Sequence, residues 1–320
     1  MRSGKKHPPL ASREIILKLV IGSRGSQLAL TQTRMIRDQL QQRHSDLEVT
    51  IDIIQTKGDV ATGALRSFGG QGVFTKEIEN ALLERRIDLA VHSLKDLPTR
   101  FHEDLELVAN PPREDVRDAL ITPSNCSLGK LPQRAVLGTG SLRRRAQLLA
   151  LRPDLELREI RGNLDTRIDK VHRGEYDATL LAAAGLHRLG WGDRIGAYLE
   201  IDCFLPAVGQ AALGLQMRAD SDLLPLVEVL DHPPTSASVT AERSLLRVLE
   251  GGCHAPIAAW GRLQDGALYL DGLVGRPDGT RLLRATISGP IGNAEALGEE
   301  LAAELRAQGA DDILTDLESQ

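Results

Sequence analysis

The sequence predicts two similar α/β domains facing a shared cleft, followed by a smaller α+β domain. Three observations carry this. The order strand, Gly/Ser turn, helix, strand, helix, strand occurs twice, over residues 19–92 and again over residues 135–182. Strands alternating with helices imply right-handed crossovers and a mostly parallel sheet. The last third changes character, with three strand-like runs separated by Asp265-Gly266 and Pro277-Asp278-Gly279, turn residues that suit hairpins.

In the first repeat, Leu19-Val20-Ile21 reads as a short buried strand ended by Gly22-Ser23-Arg24-Gly25-Ser26. Leu28 to Gln42 follows as a helix with Leu28, Met35, Ile36 and Leu40 near helical spacing. Leu47 to Thr56 is the second strand, Phe74, Ile78 and Leu82 mark the next helix, and Ile87 to His92 is the third strand. In the second repeat, the strand Ala135 to Leu137 meets the turn Gly138-Thr139-Gly140-Ser141 and the helix Leu142 to Leu151. Leu155 to Arg161 is then a strand, Leu164, Ile168 and Val171 a helical stripe, and Tyr176 to Ala182 a strand. Beyond the Pro-rich segment Asp231-His232-Pro233-Pro234, read as a linker, Thr240 is expected to cap a helix ending at Leu249. Ile257 to Arg262, Ala267 to Val274 and Thr280 to Ser288 are the three strands, and a final helix spans Ala294 to Gln308 with its acidic residues outward.

A chain of 320 residues suits two or three domains and buries enough surface to need neither disulfides nor a structural metal. Cys126, Cys203 and Cys253 have no paired spacing, which argues against a disulfide framework, and no second Cys or His is placed for a metal site. No apolar run is long enough to span a bilayer, and residues 1–15 read as a flexible tail without the apolar stretch of a signal peptide, so the expectation is cytoplasmic. The net charge of −5 hides a segregation. Residues 130–173 hold 11 Lys and Arg against 5 acidic residues, and residues 231–320 hold 7 Arg against 14. Aromatic residues make up 3% of the chain, too few for a nucleic-acid stacking platform.

Ligands of open α/β sheets bind at the carboxyl ends of strands, and four polar clusters fall there: Ser23 to Ser26; Thr139 to Ser141 with Arg143, Arg144 and Arg145; Arg161 to Asn163 with Arg167; and His92 to Asp96. Neither a P-loop nor a GxGxxG spacing is present. An Arg pair opening a helix opposes the helix dipole, and an anion bound there would offset that repulsion. Asp96, a carboxylate among cations, is either an ion-pair partner or a group placed to stabilise developing positive charge. Cys253, on a Gly-Gly loop beside His254, is either a buried thiol or an accessible nucleophile. These residues suit a cleft for a small polyanion, in an enzyme or in a non-catalytic binding protein.

Seven segments then match one family in order: residues 21–32 (IGSRGSQLALTQ), 69–98, 138–144 (GTGSLRR), 160–167 (IRGNLDTR), 182–190 (AAAGLHRLG), 205–215 (LPAVGQAALGL) and 242–256 (ERSLLRVLEGGCHAP). The chain resembles the porphobilinogen deaminase (hydroxymethylbilane synthase) family. The resemblance implies two domains like periplasmic binding proteins: residues 16–112 with 211–230, and residues 113–210. Residues 231–320 form a third, whose three-stranded antiparallel sheet accompanies a cofactor loop. It implies a transferase of porphyrin and haem biosynthesis that condenses four porphobilinogen molecules with loss of ammonia and releases hydroxymethylbilane. The implied cofactor is a dipyrromethane held by Cys253, and the implied catalytic residue is Asp96. Arg24, Ser26, Lys95, Ser141, Arg143, Arg144, Arg161 and Arg167 match positions that hold cofactor and substrate carboxylates. A monomer is expected, with no metal, nucleic acid or membrane partner. Three departures stand out: Ala211 replaces a usual Gly, Gly140 a common Ser, and Asp165 introduces a charge expected to weaken substrate binding.

Overall fold

The computed structural model describes residues 17–55, 75–250 and 255–318. The first repeat runs β1 (Leu17–Ser23), α1 (Gln27–Arg43), β2 (Leu47–Ile53), α2 (Lys76–Leu83), β3 (Leu89–Ser93) and β4 (Leu105–Ala109). The second runs β5 (Asp118–Ile121), β6 (Val136–Gly138), α3 (Leu142–Leu151), β7 (Glu156–Arg158), α4 (Leu164–His172), β8 (Ala178–Ala182), α5 (Ala183–Arg188) and β9 (Ala197–Leu199). The chain then enters the first sheet again as β10 (Leu213–Arg218), followed by α6 (Leu224–Glu228).

The strand orders are β2-β1-β3-β10-β4 and β7-β6-β8-β5-β9. In both sheets the first three strands are parallel and the fourth is reversed, β10 against β3 and β4, β5 against β8 and β9. Each reversed strand is the first that the chain lays down after crossing from the other sheet. The two crossovers, residues 110–117 and 200–212, therefore run side by side, with Arg113 Nε donating to the Gln210 carbonyl at 2.8 Å. Leu19, Ile21, Ile36, Leu40, Leu89 and Met217 fill the first core, and Leu120, Leu137, Leu148, Leu180 and Phe204 the second.

The third unit comprises α7 (Pro233–Val248), β11 (Ile257–Gln264), β12 (Ala267–Gly275), β13 (Leu282–Gly289), α8 (Ala294–Ala307) and α9 (Ala310–Glu318). The strands form an antiparallel sheet in chain order. Leu245, Ala259, Leu268, Leu270, Leu301 and Leu305 lock one face of it to α7 and α8. Glu242, fully buried on α7, ties this unit to both crossovers. Its carboxylate accepts two bonds from Arg113, at 2.5 and 3.0 Å, and one each from the Gly209 and Gly261 N–H groups, both at 2.7 Å.

Several elements differ from expectation. Pro233 and Pro234 open α7 and are not a linker, since proline suits the first helical turn where no N–H is needed. Thr240 therefore lies inside a helix. The Leu155 to Arg161 strand shrinks to three residues, because its partner β6 is itself three residues long and pairs with Glu156, Leu157 and Arg158. Phe74 lies outside the described residues, while Ile78 and Leu82 are buried on α2 as read. Short strands β4, β5 and β9, and the last helix α9, carry too little periodicity to have been read.

Candidate active site

A cleft of about 510 Å3 is lined from one side by Leu28, Gln32, Ser93 and Lys95, and from the other by Arg144, Leu164, Arg167 and Arg188. Ala211 and Ala212, at the end of the second crossover, complete the wall. The cleft opens to solvent. It lies where β3 and β8 end, at the carboxyl edges of both sheets, as the topology of α/β sheets requires.

On the first side, β3 passes directly into a 3-10 turn, Leu94–Asp96. Leu94 is buried and anchors that turn, so Lys95 is half-buried against the cleft and Asp96 is exposed beside it. Gly209 packs against the backbone of this turn, where a Cβ would stand 3.3 Å from the Lys95 nitrogen. Burial pushes the Lys95 pKa down to about 8; Asp96 and Asp118 oppose that shift, while Arg144 and Arg143 add to it. Gln32 Nε2 donates to Ser93 Oγ at 3.1 Å, holding the side chain of α1 to the end of β3.

On the second side, Ser141 caps α3, its Oγ accepting the Arg144 N–H at 3.4 Å. The anion expected between Arg143 and Arg144 is part of the protein: Asp118, fully buried on β5. Asp118 Oδ2 accepts from Arg143 Nη1 at 2.8 Å, and Oδ1 from Arg144 Nη2 at 2.6 Å. Burial alone would raise the Asp118 pKa, but the two guanidiniums override it and hold the carboxyl below its usual range. Arg144 still borders the cleft, whereas Arg143 is 4% exposed and turned onto Asp118 and the Leu205 carbonyl. Arg167, on α4, is pushed down to about 10 by burial and by Arg144, with Asp96 opposing. Arg188, at the end of α5, is likewise lowered to about 10 by burial, with Glu114 opposing.

The structure thus brings Lys95, Arg144 and Arg167 into one cleft with Asp96 beside them. Arg24 is half-buried on the loop after β1, outside the cleft wall though its charge reaches His92. Ser26 caps α1 by accepting the Ala29 N–H. Arg161 lies outside the wall and donates to Glu159 at 2.7 Å. Cys253 lies outside the described residues. Asp165 is exposed on α4, its carboxylate accepting the Thr166 N–H at 2.7 Å, and is no part of the cleft wall. Sequence reading missed Gln32, Asp118 and Arg188. Gln32 repeats Leu28 at i+4 on the inward face of α1, and Asp118 is a lone charge opening an apolar strand. Both were available as signals.

A family profile described as "Porphobilinogen deaminase, dipyromethane cofactor binding domain" matches residues 19–224, and one described as "Porphobilinogen deaminase, C-terminal domain" matches residues 236–307. The porphobilinogen deaminase of Desulforudis audaxviator is 49% identical over 299 residues, which cover 93% of this chain and 97% of that protein. That of Gloeobacter violaceus is 50% identical over 303 residues, covering 92% of each. Among solved structures, the methionine-binding protein MetQ overlays with a TM-score of 0.44 at 11% identity, over 67% of this chain and 89% of that one. On its sequence, the chain belongs to the porphobilinogen deaminase family.

Proposed function

We propose that this cleft joins porphobilinogen molecules head to tail, with loss of ammonia, on a dipyrromethane held through Cys253, and that hydrolysis then releases hydroxymethylbilane. One observation carries the reading. Four cationic side chains, Lys95, Arg144, Arg167 and Arg188, line the cleft, and none of the described residues lining it is acidic. Burial disfavours the charge on three of them, which a bound carboxylate would reverse. Every pyrrole of the substrate carries an acetate and a propionate, so a cationic wall of this kind fits both the dipyrromethane and the growing chain. When bound, the dipyrromethane supplies the nucleophilic carbon at which elongation starts.

The residues then divide the work. Lys95, Arg144, Arg167 and Arg188 hold carboxylates and orient the pyrroles, and guanidinium groups do this in a planar, two-point fashion. Arg143 acts through Asp118, which keeps the Arg144 guanidinium in place. Arg24, Ser26, Ser141 and Arg161 add donors around the cleft for further pyrroles. Asp96 accepts hydrogen bonds from the pyrrole N–H of the incoming substrate and stabilises the positive charge that develops as ammonia departs. On this reading, residues 16–112 with 211–230 carry Asp96, residues 113–210 carry the arginines, and residues 231–320 carry Cys253. The enzyme works as a cytoplasmic monomer; no described helix is long and apolar enough to cross a membrane.

Intact mass of the denatured protein, with peptide mapping and Ehrlich's reagent, tests the reading. A two-pyrrole adduct on Cys253 is expected, absent in Cys253→Ala. Asp96→Asn is expected to lower kcat by about 10²–10³ with little change in KM. A Cys253 that stays unmodified after incubation with porphobilinogen leaves a non-catalytic anion-binding protein instead.

A further inference from the structure

Arg188 reaches the cleft from the last turn of α5, a helix of six residues whose Ala183, Ala184, Gly185 and Leu186 are buried and carry no polar side chain. So short an element holds a cation in place only if its end is tied down. Its last two residues reach opposite crossovers. Arg188 Nη2 donates to the Ala211 carbonyl at 2.6 Å, on the second crossover. The His187 ring meets the Glu114 carboxylate of the first crossover, with Nδ1 3.2 Å from Oε1. A carboxylate only accepts, so Nδ1 bears the proton, and the Tyr198 hydroxyl on β9 donates to Nε2 at 2.9 Å when the ring is neutral.

These bonds close a ring. The Glu114 N–H donates to the same Ala211 carbonyl at 3.4 Å, so the path runs His187, Glu114, Ala211, Arg188 and back through the chain. Ala211 is held at φ +71°, a left-handed conformation that residues other than glycine rarely adopt. Residues keep such conformations when their surroundings demand them, and here Ala211 presents one carbonyl to two donors. The far side of His187 is equally braced. Tyr198 lies under the Arg117 guanidinium, 4.0 Å from the ring centre, and Arg117 is paired with Asp115 at 2.7 Å and Glu200 at 3.2 Å.

We propose that His187 is a positioning residue for substrate binding, fixing Arg188 in the cleft by tying the end of α5 to Glu114. The proposal rests on the reading of the cleft as a carboxylate site. Steady-state kinetics of the cofactor-loaded enzyme with porphobilinogen test it. His187→Leu is expected to raise KM five- to ten-fold with kcat within two-fold of the parent. His187→Asn, which returns an N–H near the Nδ1 position, should recover most of that loss. Glu114→Ala should raise KM to the same extent, and should add nothing in the His187→Leu background, because the two side chains form one link. An unchanged KM in His187→Leu overturns the proposal, as do independent, multiplying effects of the two variants, or equal losses in kcat and Tm without a rise in KM. Arg188→Leu separates the two levels. If it raises KM while His187→Leu does not, only the positioning role falls; if it leaves KM unchanged, the carboxylate reading of the cleft falls and the proposal with it.

Discussion

Lys95 is half-buried in the cleft, and its ammonium finds no hydrogen-bond partner among the described residues. Its pKa of about 8 places a loss of charge within the working range of an enzyme. As pH rises through 8 the cleft loses one of its cations and its affinity for carboxylates falls. We expect kcat/KM to drop by about ten-fold between pH 7 and pH 9.5, the order of one charge-assisted hydrogen bond, and Lys95→Arg to flatten that drop. Stability moves the other way. Between the folded pKa near 8 and the unfolded value near 10.5 the unfolded chain binds more protons, so this group's contribution to stability rises with pH. Activity falling while urea stability holds or rises would mark the effect as binding. Lys95 and Asp96 were legible in the sequence because a strand end makes both local. The distribution of roles between Arg143 and Arg144 was not, because it depends on Asp118, 25 residues away in sequence.

The elements show why the polar turns of the two repeats look alike. Gly22 is the penultimate residue of β1 and Gly138 the last of β6, and in each case an isoleucine side chain packs where a Cβ would go: Ile87 over the first, Ile160 over the second, at 2.9 Å. The glycines therefore serve close packing. Ser26 and Ser141 act as helix caps at the two matching helix starts. On α4, Asp165 was expected to weaken substrate binding. Its carboxylate instead bonds the Thr166 N–H in the first helical turn, where a negative charge opposes the dipole favourably. Asp165→Asn should leave KM within two-fold and lower stability by about 0.3–1 kcal/mol, read from paired urea melts and steady-state kinetics. A clear fall in KM would show that Asp165 weakens substrate binding. Such helix-end effects are partly legible from spacing, but whether a helix side faces a cleft or solvent is not.

At the scale of the molecule, Glu242 is where three units meet. It is fully buried, and the guanidinium of Arg113 is its only charged partner among the described residues. Glu242→Ala leaves that cation buried without a counter-charge, which costs about 3–5 kcal/mol. We expect a corresponding fall in urea stability, and faster hydrogen exchange in residues 110–117 and 206–212, where the two crossovers run together. A loss below about 1 kcal/mol, with exchange unchanged, would show that the crossovers are held by their own contacts, such as Gln210 Nε2 to the Val116 carbonyl at 2.7 Å.

By itself the sequence determined what short-range physics can specify. Hydrophobic periodicity marked the long helices and central strands, glycine and proline marked the turns, and the family motifs fell on loops at strand ends. Lys95, Arg144 and Arg167 were named from those motifs and line the cleft, with Asp96 exposed next to Lys95. The tertiary structure alone decided which strand completes each sheet. β5 and β10 are four- and six-residue segments, buried throughout, and such runs look the same in any core. It also decided that Asp118 answers the arginine pair, that Arg188 belongs to the cleft, and that Glu242 binds the crossovers. Each of these depends on groups distant in the chain meeting in a buried setting. A buried charge must find its partner wherever the fold brings one, and sequence spacing holds no record of that distance.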